Sequence, residues 1–254
     1  MLKRSLQIAK EDGVTGLGSQ AAAFAYRRGL RRLLPTSGYV RYAGIPIDER
    51  KWGDRIVPLL WTRGLNDSPD YESALVAALK EQVRSGDRIV VVGGGVGVTA
   101  AIAALQTGPS GEVICYEGAS EYVKKVKRTA DLNGVSDRMT VRHAVVARSI
   151  SVWGTEPDRE TVAPTDLPDC DVLELDCEGA EVDIIQEMTI RPRAVLVETH
   201  GVYGATTPLV ASSMEEIGYT VSHLGVAEPQ LETYCEENDI RVLVGVQKRE
   251  HPSS

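Results

Sequence analysis

Arg88-Ile89-Val90-Val91-Val92-Gly93-Gly94-Gly95-Val96-Gly97-Val98 is the stretch on which the fold turns. Four consecutive β-branched apolar residues without polar alternation suit a strand buried on both faces, the condition of a parallel sheet covered by helices. The run empties into glycines, and Val98 to Gln106 then reads as a helix. A buried strand that turns into a helix through glycine lets the backbone approach a ligand closely. It also presents free N–H groups and the positive end of the helix dipole at one point.

The same alternation extends in both directions. Upstream, Ser68-Pro69-Asp70-Tyr71 opens a helix that runs to Val83, with a cap residue followed by proline. Downstream, strands are expected at 112–116, 139–145, 171–175 and 194–198, separated by helices at 120–133 and 180–188. A helix near 207–217 and terminal strands at 219–224 and 240–247 complete the series. Strands alternating with helices predict a doubly wound α/β sheet, mostly parallel and Rossmann-like.

Residues 1–68 read differently and are expected to form an N-terminal extension to a domain spanning 69–254. An arginine-rich helix over 21–34 stops at Pro35. Tyr39 to Ile47 and Arg55 to Trp61 are strand candidates joined by a polar connection from Asp48 to Asp54, in the manner of a hairpin. Residues 1–55 carry a net charge of +6 and the remainder −14, within a total of −8. That overall balance repels a nucleic-acid backbone and excludes it as the expected partner. Arg27, Arg28, Arg31 and Arg32 could touch an anionic membrane surface, with a solvated helix face as the plainer reading.

With 43% hydrophobic and 25% charged residues over 254 positions, the chain has the composition of a folded globular protein. No apolar run is long enough for a membrane-spanning helix and the N-terminus lacks a signal-peptide core, so a cytoplasmic location is expected. Cys115, Cys170, Cys177 and Cys235 form no CxxC pair, and His143, His200, His223 and His251 are scattered. Buried free thiols and no metal site are therefore expected.

Glu117 stands 20 residues after Gly97, at the carboxyl end of the second strand, where a carboxylate can accept both hydrogen bonds of a ribose diol. Glycine loop and carboxylate together point to an adenosine cofactor. The third position of the dinucleotide fingerprint is Val98, not Gly or Ala, and a P-loop ending is absent. A phosphate-free adenosine ligand, S-adenosylmethionine, fits the G-x-G-x-G spacing of Gly93, Gly95 and Gly97.

Asp171-Val172-Leu173-Glu174-Leu175-Asp176-Cys177-Glu178-Gly179-Ala180-Glu181, followed by Val195-Leu196-Val197-Glu198-Thr199-His200, resembles the FkbM family of S-adenosylmethionine-dependent methyltransferases. The likeness runs from about Asp87 to Gln247. It implies a Class I, seven-stranded sheet whose last strand is antiparallel, and O-methylation of a hydroxyl on a glycan or natural product. It also implies that the segment around Ala144 closes over the adenine. The family's acidic residue two positions before the first glycine is here Val91, so the methionine amino group must find carbonyls or another carboxylate such as Asp176.

Asp176, Glu178 and His200 are the candidate catalytic residues. They stand at or just past the carboxyl ends of buried strands, where open α/β sheets place ligands, and a base near a poorly nucleophilic hydroxyl aids its attack. Glu178 and Glu181 also stand where first-turn carboxylates stabilise a helix dipole. Two other readings remain open. An NAD(P)-linked oxidoreductase shares the fold but lacks a Tyr-x-x-x-Lys pair here, and a non-catalytic scaffold would bind the cofactor without turnover.

Overall fold

The computed structural model describes residues 33–34, 36–51, 67–147 and 159–247. The chain divides into two compact units, Met1–Ser68 and Pro69–Ser254. In the first, β1 (Thr36–Tyr42) and β2 (Ile45–Lys51) pair as an antiparallel hairpin with Tyr42 opposite Ile45. Ala43 and Gly44, at φ 47° and 86°, form the two-residue turn, since positive φ at both central positions matches the twist of the flanking strands. This corrects the sequence expectation of one strand over 39–47 with a connection from Asp48. The turn was hidden because Ala43 is an unusual choice at a left-handed position. Val40 and Ile47 face each other across the ladder and are both buried. Most of the expected arginine-rich helix, with Arg27, Arg28, Arg31 and Arg32, lies outside the described residues, as does the strand expected at 55–61.

The second unit is built on α1 (Ser73–Gln82), β3 (Arg88–Val92), α2 (Val98–Thr107), β4 (Glu112–Glu117), α3 (Ser120–Leu132), β5 (Met139–Val146), β6 (Glu160–Val162), β7 (Val172–Leu175), α4 (Glu181–Glu187), β8 (Ala194–Glu198), α5 (Thr207–Glu216), β9 (Tyr219–Val226), α6 (Glu232–Asn238) and β10 (Arg241–Gln247). One sheet holds the strands in the order β6-β5-β4-β3-β7-β8-β10-β9. All neighbours run parallel except β10, which is antiparallel to both β8 and β9. The expected Rossmann-like sheet is therefore present, and the three-residue β6 adds an eighth strand at one edge.

Burial explains the apolar runs. Ile89 to Val92 of β3 and Val172 to Leu175 of β7 are all at most 3% exposed, as strands covered on both faces require. Val90, Val92, Leu173, Leu175, Val195 and Val197 share a core with Ile184 and Ile185 of α4 and Met214 of α5. The alternate positions, Val91 and Glu174 among them, face the other layer, where α1 and α2 pack. The chain leaves β3 toward β4 and β5 on one side and takes β7 and β8 on the other. The carboxyl end of β3 thus lies at the point where strand order reverses, where open sheets leave a crevice.

No helix among the described residues is long and apolar enough to cross a membrane. All four cysteines are free thiols, Cys115 and Cys235 buried, Cys170 and Cys177 half-buried.

Candidate active site

Gly93 takes φ 101° and donates its N–H to the Tyr116 carbonyl at 2.9 Å, tying the end of β3 to β4. Its backbone passes so close to Asp176 that a Cβ there would overlap the Asp176 carbonyl oxygen and lie 2.6 Å from the carbonyl carbon. Gly97 caps α2, with its N–H bonded to the Gly94 carbonyl at 2.8 Å. Gly95, between them, faces open space among the described residues.

The loop is held from across the sheet. Glu117 Oε2 accepts the Gly95 N–H and Oε1 accepts the Ala119 N–H, each at 2.8 Å. Burial raises the Glu117 pKa, against the backbone donors Ala119, Gly95 and Gly94, which favour the ionised form. A cleft of about 370 Å³ opens beside this clasp. Gly93, Gly95, Glu117, Ala144, Asp176 and Glu178 all line it, so six of the residues singled out from sequence meet in one place. Gly97 and His200 stand outside the lining.

His200 is 7% exposed and sits behind Asp176. Its Nδ1 lies 2.7 Å from Oε1 of Glu181, a carboxylate with no exposure, whose Oε2 accepts the Gly179 N–H at 2.8 Å. An ionised carboxylate only accepts, so Nδ1 carries the proton and Nε2 turns to Asp176 Oδ1 at 3.5 Å and Glu198 Oε1 at 3.7 Å. Burial opposes the charged imidazole, but the hydrogen bond that Nδ1 donates to Glu181 and the fields of Asp176, Glu181 and Glu178 outweigh it and raise the His200 pKa. Burial pushes Asp176 up to about 6 even though His200 pulls it down.

Further carboxyls surround this pair. Glu72 lines the cleft from the segment before α1, in a left-handed conformation at φ 44°. Burial, then the charge of Asp176, raise its pKa well above the carboxylate range, and the same two causes act on Glu198. Glu178 is also left-handed, at φ 54°. Such backbone strain in non-glycine residues costs on the order of 1–3 kcal/mol and clusters at functional sites. The cleft therefore crowds together carboxyls whose burial and mutual repulsion favour the protonated form, and a cationic ligand would draw them into the ionised form.

No family model and no curated protein matches the sequence. Solved structures do resemble the chain. A SAM-dependent O-methyltransferase from Thermotoga maritima is 20% identical over 81% of this chain and 75% of its own, with a TM-score of 0.46. A precorrin-6y C5,15-methyltransferase from Geobacter metallireducens is 13% identical over 74% and 92%, with a TM-score of 0.47. An O-methyltransferase from Bacillus cereus in complex with SAH is 12% identical over 73% and 84%, with a TM-score of 0.43.

Three features of the site escaped the sequence reading. Glu181 is not only a first-turn carboxylate: it grips His200 from the start of α4. Glu198, two residues before His200, turns toward the same point, and its place at the end of a buried strand was the available signal. Glu72 gave none, because it reaches the cleft from a distant part of the chain.

Proposed function

We propose that the protein is an S-adenosylmethionine-dependent methyltransferase of FkbM type that methylates a hydroxyl oxygen of a glycan or natural product. The observation that carries this reading is the Glu117 clasp. The carboxylate at the end of β4 faces the cleft, fixed by Gly95 and Ala119, and each oxygen retains a lone pair for one hydroxyl of a ribose.

The rest of the cleft selects against a dinucleotide. A pyrophosphate needs free N–H groups, yet those of Gly95 and Gly97 are engaged by Glu117 and the Gly94 carbonyl. It would also lie among the carboxylates of Glu72, Glu117, Asp176 and Glu178. The ammonium and sulfonium of S-adenosylmethionine gain from the same carboxyls, which a bound cation holds in the ionised form. Val91 is fully buried in the strand, so Glu72 takes the ammonium in place of an acid at that position and leaves Asp176 to the acceptor.

Transfer from a sulfonium is chiefly a matter of holding methyl and oxygen in line. The acceptor hydroxyl enters at the Asp176 end of the cleft, where Asp176 and His200 behind it receive its proton. Replacing His200 by glutamine keeps a donor toward Glu181 and removes the ring. Turnover on an acceptor methylated by the wild-type protein is expected to fall about 10²- to 10⁴-fold. Wild-type turnover by that variant would remove His200 from the reaction.

Glu117→Ala tests the cofactor pocket. Losing two charge-assisted hydrogen bonds should weaken S-adenosylhomocysteine binding by about 2–4 kcal/mol, roughly 30- to 1,000-fold by calorimetry. Unchanged affinity would show that the ribose lies elsewhere.

A further inference from the structure

We propose that Asp176, Glu198 and His200 form a site for one divalent cation of the Mn²⁺ or Zn²⁺ kind, with Glu181 holding the imidazole for it. The ion site does not depend on the methyltransferase reading; only the use made of the ion does. One ligand atom from each residue lies within 4.8 Å of the others. Nε2 of His200 is 3.5 Å from Asp176 Oδ1 and 3.7 Å from Glu198 Oε1. Those gaps are too wide for good hydrogen bonds. An ion bound at about 2.0–2.2 Å from each atom sets neighbouring ligands roughly 3.0–3.5 Å apart, so His200 need approach each carboxylate by only a few tenths of an ångström, while the two carboxylates close from within 4.8 Å of each other.

An independent sign is Glu198 itself. The residue is 9% exposed, and its Oε2 is buried without a hydrogen-bond partner among the described residues. A buried carboxyl left so either keeps its proton or is completed by a cation, which would displace that proton. The tautomer fits as well. Glu181 occupies Nδ1 at 2.7 Å and leaves the Nε2 lone pair facing the two carboxylates, the carboxylate–histidine–metal arrangement in which the outer carboxylate orients the ligand. The expectation of no metal site came from chain spacing, whereas these ligands come from the ends of the adjacent strands β7 and β8.

One nitrogen among three ligands favours Mn²⁺ or Zn²⁺ over Ca²⁺. Asp176 also lines the cleft, so the ion would stand at its acceptor end and acidify a hydroxyl bound there. In its absence the proton falls to Asp176 and His200 directly.

The experiment uses the full chain stripped with a chelator and titrated with Mn²⁺, Zn²⁺ or Ca²⁺ alone, followed by calorimetry and, for Mn²⁺, electron paramagnetic resonance. One equivalent of Mn²⁺ or Zn²⁺ should bind, at least tenfold more tightly than Ca²⁺. Glu198→Gln should weaken binding at least tenfold, and Glu181→Gln about 10- to 100-fold. S-adenosylhomocysteine is titrated into the same metal-free protein. Its failure to bind counts against the methyltransferase reading and leaves the ion untouched. No stoichiometric Mn²⁺ or Zn²⁺ binding by the wild-type chain, or binding that survives both Glu198→Gln and Asp176→Asn, overturns the ion site.

Discussion

Gly93→Ala should lower the melting temperature by about 10 °C, whereas Gly95→Ala, two residues along the same loop, should lower it by only about 2–4 °C. The difference lies in what the added methyl meets. At Gly93 it overlaps the backbone carbonyl of Asp176, which cannot rotate away, and the φ of 101° is one that alanine rarely adopts. Relief requires the ends of β3 and β7 to separate, straining the 2.9 Å bond from the Asp176 N–H to the Val92 carbonyl. Overpacking costs about 1–3 kcal/mol and the strained backbone a similar amount. At Gly95 the methyl meets nothing within 4 Å among the described residues, so only the left-handed backbone, at φ 49°, is penalised, by about 1–2 kcal/mol. Thermal melts of the two variants decide it. Equal shifts would mean that Gly93 does not make the close approach on which the cleft depends.

Glu174→Gln should raise the melting temperature at pH 8 by about 10 °C and leave it nearly unchanged at pH 5. Glu174 is fully buried in β7, and burial pushes its carboxyl up to about 8, against the Thr99 hydroxyl, which favours ionisation. An unfolded glutamate ionises near 4.5. Between the two values the folded chain keeps a proton that the unfolded chain releases, so stability declines as pH rises through this window. The decline approaches about 4 kcal/mol by pH 8, and glutamine, which does not ionise, removes it. The raised pKa values of Glu72, Asp176 and Glu198 act in the same direction. His200 does too, since its stabilising charge is lost as pH rises through its raised pKa. The wild-type protein should therefore be most stable in mildly acidic solution. Melting curves for wild type and variant that stay parallel from pH 5 to 8 would contradict the assignment.

The central strands were legible because a strand buried on both faces has no room for polar alternation, a limit that β3 obeys from Ile89 to Val92 and that β7 breaks at Glu174 alone. Gly93 was legible because a close backbone approach demands glycine between strand and helix, and Glu117 because a carboxylate closing the next strand stands beside that turn. The helix α6 was not, since Cys235 is its one buried residue and leaves no periodicity to read. The three-residue β6 is too short to carry a pattern at all. At the site, Asp176, Glu178 and His200 could be named singly. The pairing of His200 with Glu181, and the convergence of Glu198 and Glu72, depend on side chains meeting across strands, which spacing along the chain does not encode.

The ligand proposed for the cleft is a phosphate-free adenosine bearing positive charge. Parallel calorimetric titrations of the wild-type chain with S-adenosylmethionine and with NAD⁺ test this most directly. Saturable binding of S-adenosylmethionine at one site, with no heat from NAD⁺, is the expected result. Saturation by NAD⁺ with S-adenosylmethionine silent would contradict it.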